Sequence, residues 1–371
     1  MRYRIFYGIL FLGLLGNFLF CTGCGGNSPK KQAVSSAPSL KIETFSSKEG
    51  LPSDYVTGLA YFGGQIWVGT KSGIARYDGV NWQIHVRKNT NALGSDLVED
   101  MVVAENAVWI ATDNGATKFD GKTWSSAFTG GRARSVSAKG TVIVVGTAHG
   151  IEQSTGGAFT TYGKEGAGLV YEEVNAVSFD AQGQLWVGTR AGMAKLNGTT
   201  FQNFTGPAKS VVGNSLVDVP PNPPNCQLIG NNINKIAPYK GKLAIGTTSG
   251  LSITDMMNQW NSYTSAHKDW VQRGATIVEE EIAGNSSMPG NSVAALMVAP
   301  NDSALFVGTN KGLAILADEK WIDLQGKLGD LGSKAVTSLA LDGNVLWAGT
   351  PSGLFKVTGI DQFLPAPSPS K

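Results

Sequence analysis

The chain has 371 residues, 48 of them glycine, and only 16% are charged. Glycine at about 13% with so little charge fits many short strands joined by tight turns, and excludes both a chain disordered throughout and a long-helix protein. Arg2 and Arg4 are the only charges before Cys24, so a chain beginning there carries 28 basic against 28 acidic residues and offers no general attraction for nucleic acid.

Residues 1–23 read as an export signal: a basic Met1-Arg2-Tyr3-Arg4, an apolar run from Ile5 to Phe20, then Thr22-Gly23 before Cys24. A transmembrane anchor is the alternative, but this run of 16 residues is short for roughly 30 Å of hydrocarbon. The arrangement resembles a bacterial lipoprotein signal, which implies acyl chains on Cys24 and a membrane partner reached through that anchor. Gly25 behind the cysteine implies the outer membrane, with either its periplasmic or its surface side as the location. Residues 24–39 then form a polar, Pro- and Ser-bearing tether. With Cys24 lipidated, Cys226 has no internal partner, and it reads as a small packed residue more readily than as a reactive thiol.

From residue 40 to residue 365 one short pattern returns seven times, as in Ile66-Trp67-Val68-Gly69-Thr70-Lys71-Ser72-Gly73 and Leu346-Trp347-Ala348-Gly349-Thr350-Pro351-Ser352-Gly353. Its threonines are Thr70, Thr112, Thr147, Thr189, Thr247, Thr309 and Thr350, so the unit is about 40 residues with two enlarged connections. Each unit reads as four strands. Thr-x-x-Gly closes the turn between the second and third, where glycine supplies a positive φ. An aromatic about twelve residues further on (Trp82, Trp124, Phe159, Phe201, Trp260, Trp321) opens the fourth.

Seven such units predict an all-β chain folded as a seven-bladed β-propeller of four-stranded antiparallel blades, monomeric, because radial closure removes exposed sheet edges. An open solenoid is the alternative. Leu40 to Phe45 is expected to supply the fourth strand of the last blade, since Ile42 and Phe45 fall in register with Phe159 and Tyr162. Phe363 competes for that place, but Pro365 and Pro367 disfavour a C-terminal strand, which leaves 366–371 as a tail.

The runs Leu51-Pro52-Ser53-Asp54-Tyr55-Val56 and Trp67 to Asp78 resemble the two-component regulator propeller repeat of bacterial sensor regions. The resemblance implies a propeller in the cell envelope and a sensor-like role in recognition. Unlike those kinases, the chain is expected to carry one propeller with no kinase domain after it.

In a propeller, the turn after the second strand and the crossover to the next blade open on one face. Both enlarged connections are crossovers, at 205–232 and 264–291, so they should stand side by side and wall one sector. Candidate binding residues there are Trp270, His267, Arg273, Glu279, Glu280 and Glu281, with His149, Arg190, Glu173 and Arg132 at the turn tips and the inner mouth. Passive elaboration of the loops and ordinary solvation of these charges are the alternatives.

No catalytic motif is present: there is no HExxH, no Gly-x-Ser-x-Gly elbow, no phosphate loop and no calcium loop. His85, His149 and His267 are the only histidines, and none has a recognisable partner in the sequence. No cofactor or metal is called for. The stretch Ser178 to Trp186 resembles the Asp-box turn of sialidase-type propellers, which is structural. The expectation is a non-enzymatic envelope lipoprotein that binds a protein, peptide or glycan. A lyase or hydrolase with its site in the central funnel and a scaffold subunit are the alternatives.

Overall fold

The computed structural model describes residues 39–213 and 215–365; the signal, Cys24, most of the tether and the tail at 366–371 lie outside the described residues. Seven four-stranded antiparallel sheets follow in chain order: blade 1 (56–85), blade 2 (98–128), blade 3 (135–162), blade 4 (174–204), blade 5 (233–263), blade 6 (293–321) and blade 7 (338–358) with Lys41–Phe45. Each inner strand touches the inner strand of the next blade, and that of blade 7 touches that of blade 1, so the ring is closed and the open solenoid is excluded. Among the described residues no helix is long and apolar enough to cross a membrane.

Closure is made by the N-terminal strand. Lys41–Phe45 pairs antiparallel with Gly353–Thr358, and the Phe45 ring lies 5.6 Å from Tyr77, 5.7 Å from Trp82 and 5.9 Å from Trp347. One side chain thereby joins the last blade to the first. Ile360–Phe363 forms a 3₁₀ turn instead, with Phe363 packed on the core between blades 6 and 7. The prolines after Phe363 explain why this segment yields the place in the sheet to the N-terminus.

The repeated Gly-Thr pair has two jobs. All seven threonines are buried, and each hydroxyl donates to the carbonyl of the glycine three residues on, for example Thr70 to Gly73 at 2.8 Å and Thr309 to Gly312 at 2.9 Å. The same oxygen accepts the backbone N–H of the turn residue between them, so a polar atom inside the blade is fully used. Gly73 stands at φ +127°, which a side chain would resist.

The residue before each threonine is small because the next blade presses on it. A methyl group on Gly246 would lie 2.6 Å from Val293 Cγ1, and one on Gly308 would lie 2.7 Å from Val336 Cγ1. Blade 2 alone has alanine at this position, Ala111, and the residue that presses on it is Ala133 where the other blades bring valine or isoleucine. The extra methyl on one side is offset by the methyls missing on the other, and both residues are fully buried. Seven hydrophobic clusters fill the seven interfaces between blades.

The stretch resembling an Asp-box folds as a structural turn. Asp180 Oδ1 accepts the N–H groups of Gln182 and Gln184, and Oδ2 accepts the Trp186 indole N–H at 2.9 Å.

Candidate functional site

The crossovers and the turns after the second strands share one face. Backbone hydrogen bonds from Lys71 N to Tyr55 O, Asp113 N to Leu97 O and Asn310 N to Ser292 O tie turn tips to the residues that lead into the inner strands. The two enlarged crossovers rise from this face, and each folds into a β-hairpin where the sequence suggested only long loops: Ala208–Val212 with Ser215–Val219, and His267–Arg273 with Thr276–Ile282. They stand side by side, as their positions in the repeat require. Strand Ser215–Val219 packs against both strands of the second hairpin, and the Leu216 N–H donates to Gln272 Oε1 at 3.1 Å.

Of the large hydrophobic residues exposed on this propeller, most sit on these two hairpins: Val211, Val212, Val217, Val219, Trp270 and Ile282. Val211 is 65% exposed and Trp270 56%, so Trp270 is a free surface ring and not a plug beneath the loop. Alternation explains the arrangement in part, since a two-stranded ribbon standing off the body has no second layer to cover either face.

Three of the charged candidates on the second hairpin are engaged in ion pairs across its two strands. Arg273 grips Glu280 with two bonds, at 2.6 and 2.7 Å, and this holds the Glu280 carboxyl below and the Arg273 guanidinium above their ordinary pKa values. Lys268 Nζ lies 3.1 Å from Glu279, the residue directly across from Trp270. Glu281 stands across from Lys268 in the ladder. His267 contacts Ser265 O through Nδ1 at 3.0 Å and carries no carboxylate partner. Two of the three glutamates, Glu279 and Glu280, are thus held in cross-strand ion pairs on a solvated ribbon.

At the inner mouth the structure brings together residues that the sequence scattered. Glu173 accepts from both Arg134 and Arg190, the latter at 3.0 Å, and these guanidiniums, Arg190 foremost, hold its carboxyl below the usual range. Arg132 pairs with Glu99 at 2.6 Å. His149 sits exposed on the tip of the blade 3 turn, its backbone N–H on Thr147 Oγ1, and joins neither group. Among the described residues no set of three or more His, Cys, Asp or Glu is placed to hold a metal ion. Cys226 is buried in the core between blades 4 and 5, and that burial pushes its thiol pKa up.

Below the mouth runs a central cavity of about 690 Å³ lined by the inner strands of all seven blades. Two rings of side chains follow one another down it. The first ring lies beside the residue that precedes each repeat threonine; five blades have Gly, Ser or Ala there, and of these Gly58, Ala295 and Ser338 border the cavity while Ser135 and Ala176 are buried in the blade packing. Blades 2 and 5 have Asp100 and Lys235 there, and Lys235 Nζ crosses the channel to Asp100 Oδ1 at 2.7 Å. The second ring is aliphatic throughout: Leu59, Met101, Val136, Val177, Ile236, Leu296 and Leu339. Sequence reasoning missed Asp100, Arg134 and Lys235. For Asp100 and Lys235 the available signal was a charge at a repeat position that is otherwise small.

A closed ring of seven four-stranded blades with an open central channel defines the chain as a seven-bladed β-propeller. Among solved structures it is similar to the extracellular domain assigned to a hybrid two component system, BT4673 of B. thetaiotaomicron, at TM-score 0.62 and 17% identity over 85% of this chain and 39% of that one. The corresponding domain of BT3049 from the same organism gives TM-score 0.61 at 16% identity, over 86% of this chain and 42% of that one. This chain therefore spans about two fifths of the length of those neighbours. A streptogramin B lyase is matched over 88% of this chain and 98% of its own at TM-score 0.57 and 10% identity. At these identities the likeness is one of fold. No family model and no curated protein matches the sequence.

Proposed function

We propose that this protein is a non-enzymatic recognition module of the bacterial envelope, anchored by lipid on Cys24, that takes a protein partner on its paired hairpins. The observation that carries the reading is the concentration of exposed valines and Trp270 on two hairpins that support each other through Gln272 and Leu216. An apolar surface of this kind, with a large rigid aromatic and a rim of paired charges, has the composition of a protein contact. The similarity to extracellular domains of signalling proteins supports an envelope setting. Thr22-Gly23-Cys24 supports the anchor.

The test is crosslinking of the tagged full chain in its own membranes, beside a variant in which 267–282 is replaced by a short Gly/Ser turn. The ends of that hairpin already meet, since a methyl group on Gly284 would lie 2.5 Å from Ser265. A partner captured by the parent and lost in the variant is expected. Equal capture by both, or capture by neither, would overturn the proposal.

A further inference from the structure

The central channel has a chemistry separate from that of the hairpins. Its volume of about 690 Å³ lies within the ~300–1,000 Å³ of small-molecule sites, which combine an apolar wall with a few placed polar groups. Here the apolar part of the wall is the exposed edge of the aliphatic ring, whose side chains otherwise pack between blades, and the charged groups beside it are Asp100, Lys235, Glu99 and Arg134, with Thr57, Asn175, Asn234 and Thr337 as neutral polar lining.

The four charged groups are not equally available. The side chain of Lys235 is 33% exposed and that of Arg134 22%, against 13% for Asp100 and 19% for Glu99. Glu99 is further engaged by Arg132, whereas Arg134 shares the single carboxylate of Glu173 with Arg190. Two guanidiniums on one carboxylate leave a cationic excess at the mouth. The most accessible charge within the channel is an ammonium whose only ion-pair partner among the described residues is the less exposed Asp100. An ammonium held across a cavity by one carboxylate can exchange that partner for a ligand's own anionic group without losing its charge pairing.

We propose that the channel is a binding site for a small organic anion with an apolar body. Its carboxylate pairs with Lys235, aided by Arg134, and its apolar part rests on the aliphatic ring. Asp100 then acts as the internal competitor that the ligand displaces. This gives opposite signs for the two partners: removing the ammonium weakens binding, while neutralising Asp100 frees the ammonium and strengthens it. A salt bridge that served only to brace blade 2 against blade 5 would give the same sign for both.

The experiment is calorimetric titration of the full chain in lipid nanodiscs with 4-phenylbutyrate and with its amide, using empty discs as the blank. One site per chain is expected, with the acid bound at least tenfold more tightly than the amide. Lys235→Gln should weaken the acid at least tenfold, and Asp100→Asn should tighten it severalfold. Thermal melts of both variants establish that they fold. If Lys235→Gln does not fold, the acid-to-amide ratio on the parent and the sign of Asp100→Asn decide. Equal binding of acid and amide, absence of saturable binding, or weakening by Asp100→Asn would overturn the proposal.

Discussion

The pairing of a small residue in one blade with the side chain that presses on it from the next can be tested by a double-mutant cycle at Gly246 and Val293. A methyl group on Gly246 would lie 2.6 Å from Val293 Cγ1 and 3.1 Å from its Cβ, whereas carbon atoms in good contact stand about 3.5–4.0 Å apart. Gly246 has no positive φ, so its substitution by alanine reports packing and not backbone strain. Overpacking of this size costs about 1 to 3 kcal/mol. Val293→Ala removes two methyl groups from a fully buried site and costs about 2 to 3 kcal/mol in lost transfer energy and cavity formation. Made together, the two changes reproduce the Ala111–Ala133 arrangement of blade 2, in which the added methyl occupies part of the space vacated. The double variant should therefore be more stable than the sum of the single changes by about 1 to 2 kcal/mol. The assay is urea unfolding followed by tryptophan fluorescence and circular dichroism, with coincident transitions as the check on two-state behaviour. Additivity within about 0.5 kcal/mol would refute the packing argument.

Two further outcomes follow from the interfaces around blade 1. His85 is buried, stacked on Trp67 at 6.1 Å with the rings nearly parallel, and burial first and Arg76 second lower its pKa to about 4. An unfolded chain with an ordinary imidazole binds the proton that the folded chain refuses, so stability is full above about pH 6.5 and declines as pH falls toward about 4, by roughly 3 kcal/mol. His85→Phe should flatten that slope in denaturation midpoints measured across the window, and an unchanged slope would rule His85 out as its source. Phe45→Ala removes the ring that joins blades 7 and 1 and should cost roughly 3 kcal/mol. Hydrogen exchange should then accelerate first in Gly353–Thr358, the strand against which Lys41–Phe45 lies. Exchange confined to other blades would contradict closure through the N-terminus.

The sequence by itself determined the number of blades, the turns and the closing strand, because those depend on features that are local and repeated. Alternation with a period of two sets a strand, Thr-x-x-Gly sets the turn, and Ile42 with Phe45 matches a register already seen in blade 3. It also placed the two enlarged crossovers next to each other, since adjacent repeats must be adjacent in a ring. Arg132, Glu173 and Arg190 were legible as mouth residues for the same reason. Their partners were not, because which acid meets which base depends on the side-chain reach across blades. The folding of the crossovers into hairpins had no repeated precedent in the chain, and the run Glu279-Glu280-Glu281 read as a charged surface only until the ion pairs of Glu279 with Lys268 and Glu280 with Arg273 were known. The ion pair between Asp100 and Lys235, 135 residues apart, was decided by tertiary structure alone. Curvature of the closed ring sets blade 5 opposite blade 2 at the width a lysine can span, and no local pattern in the sequence encodes that distance.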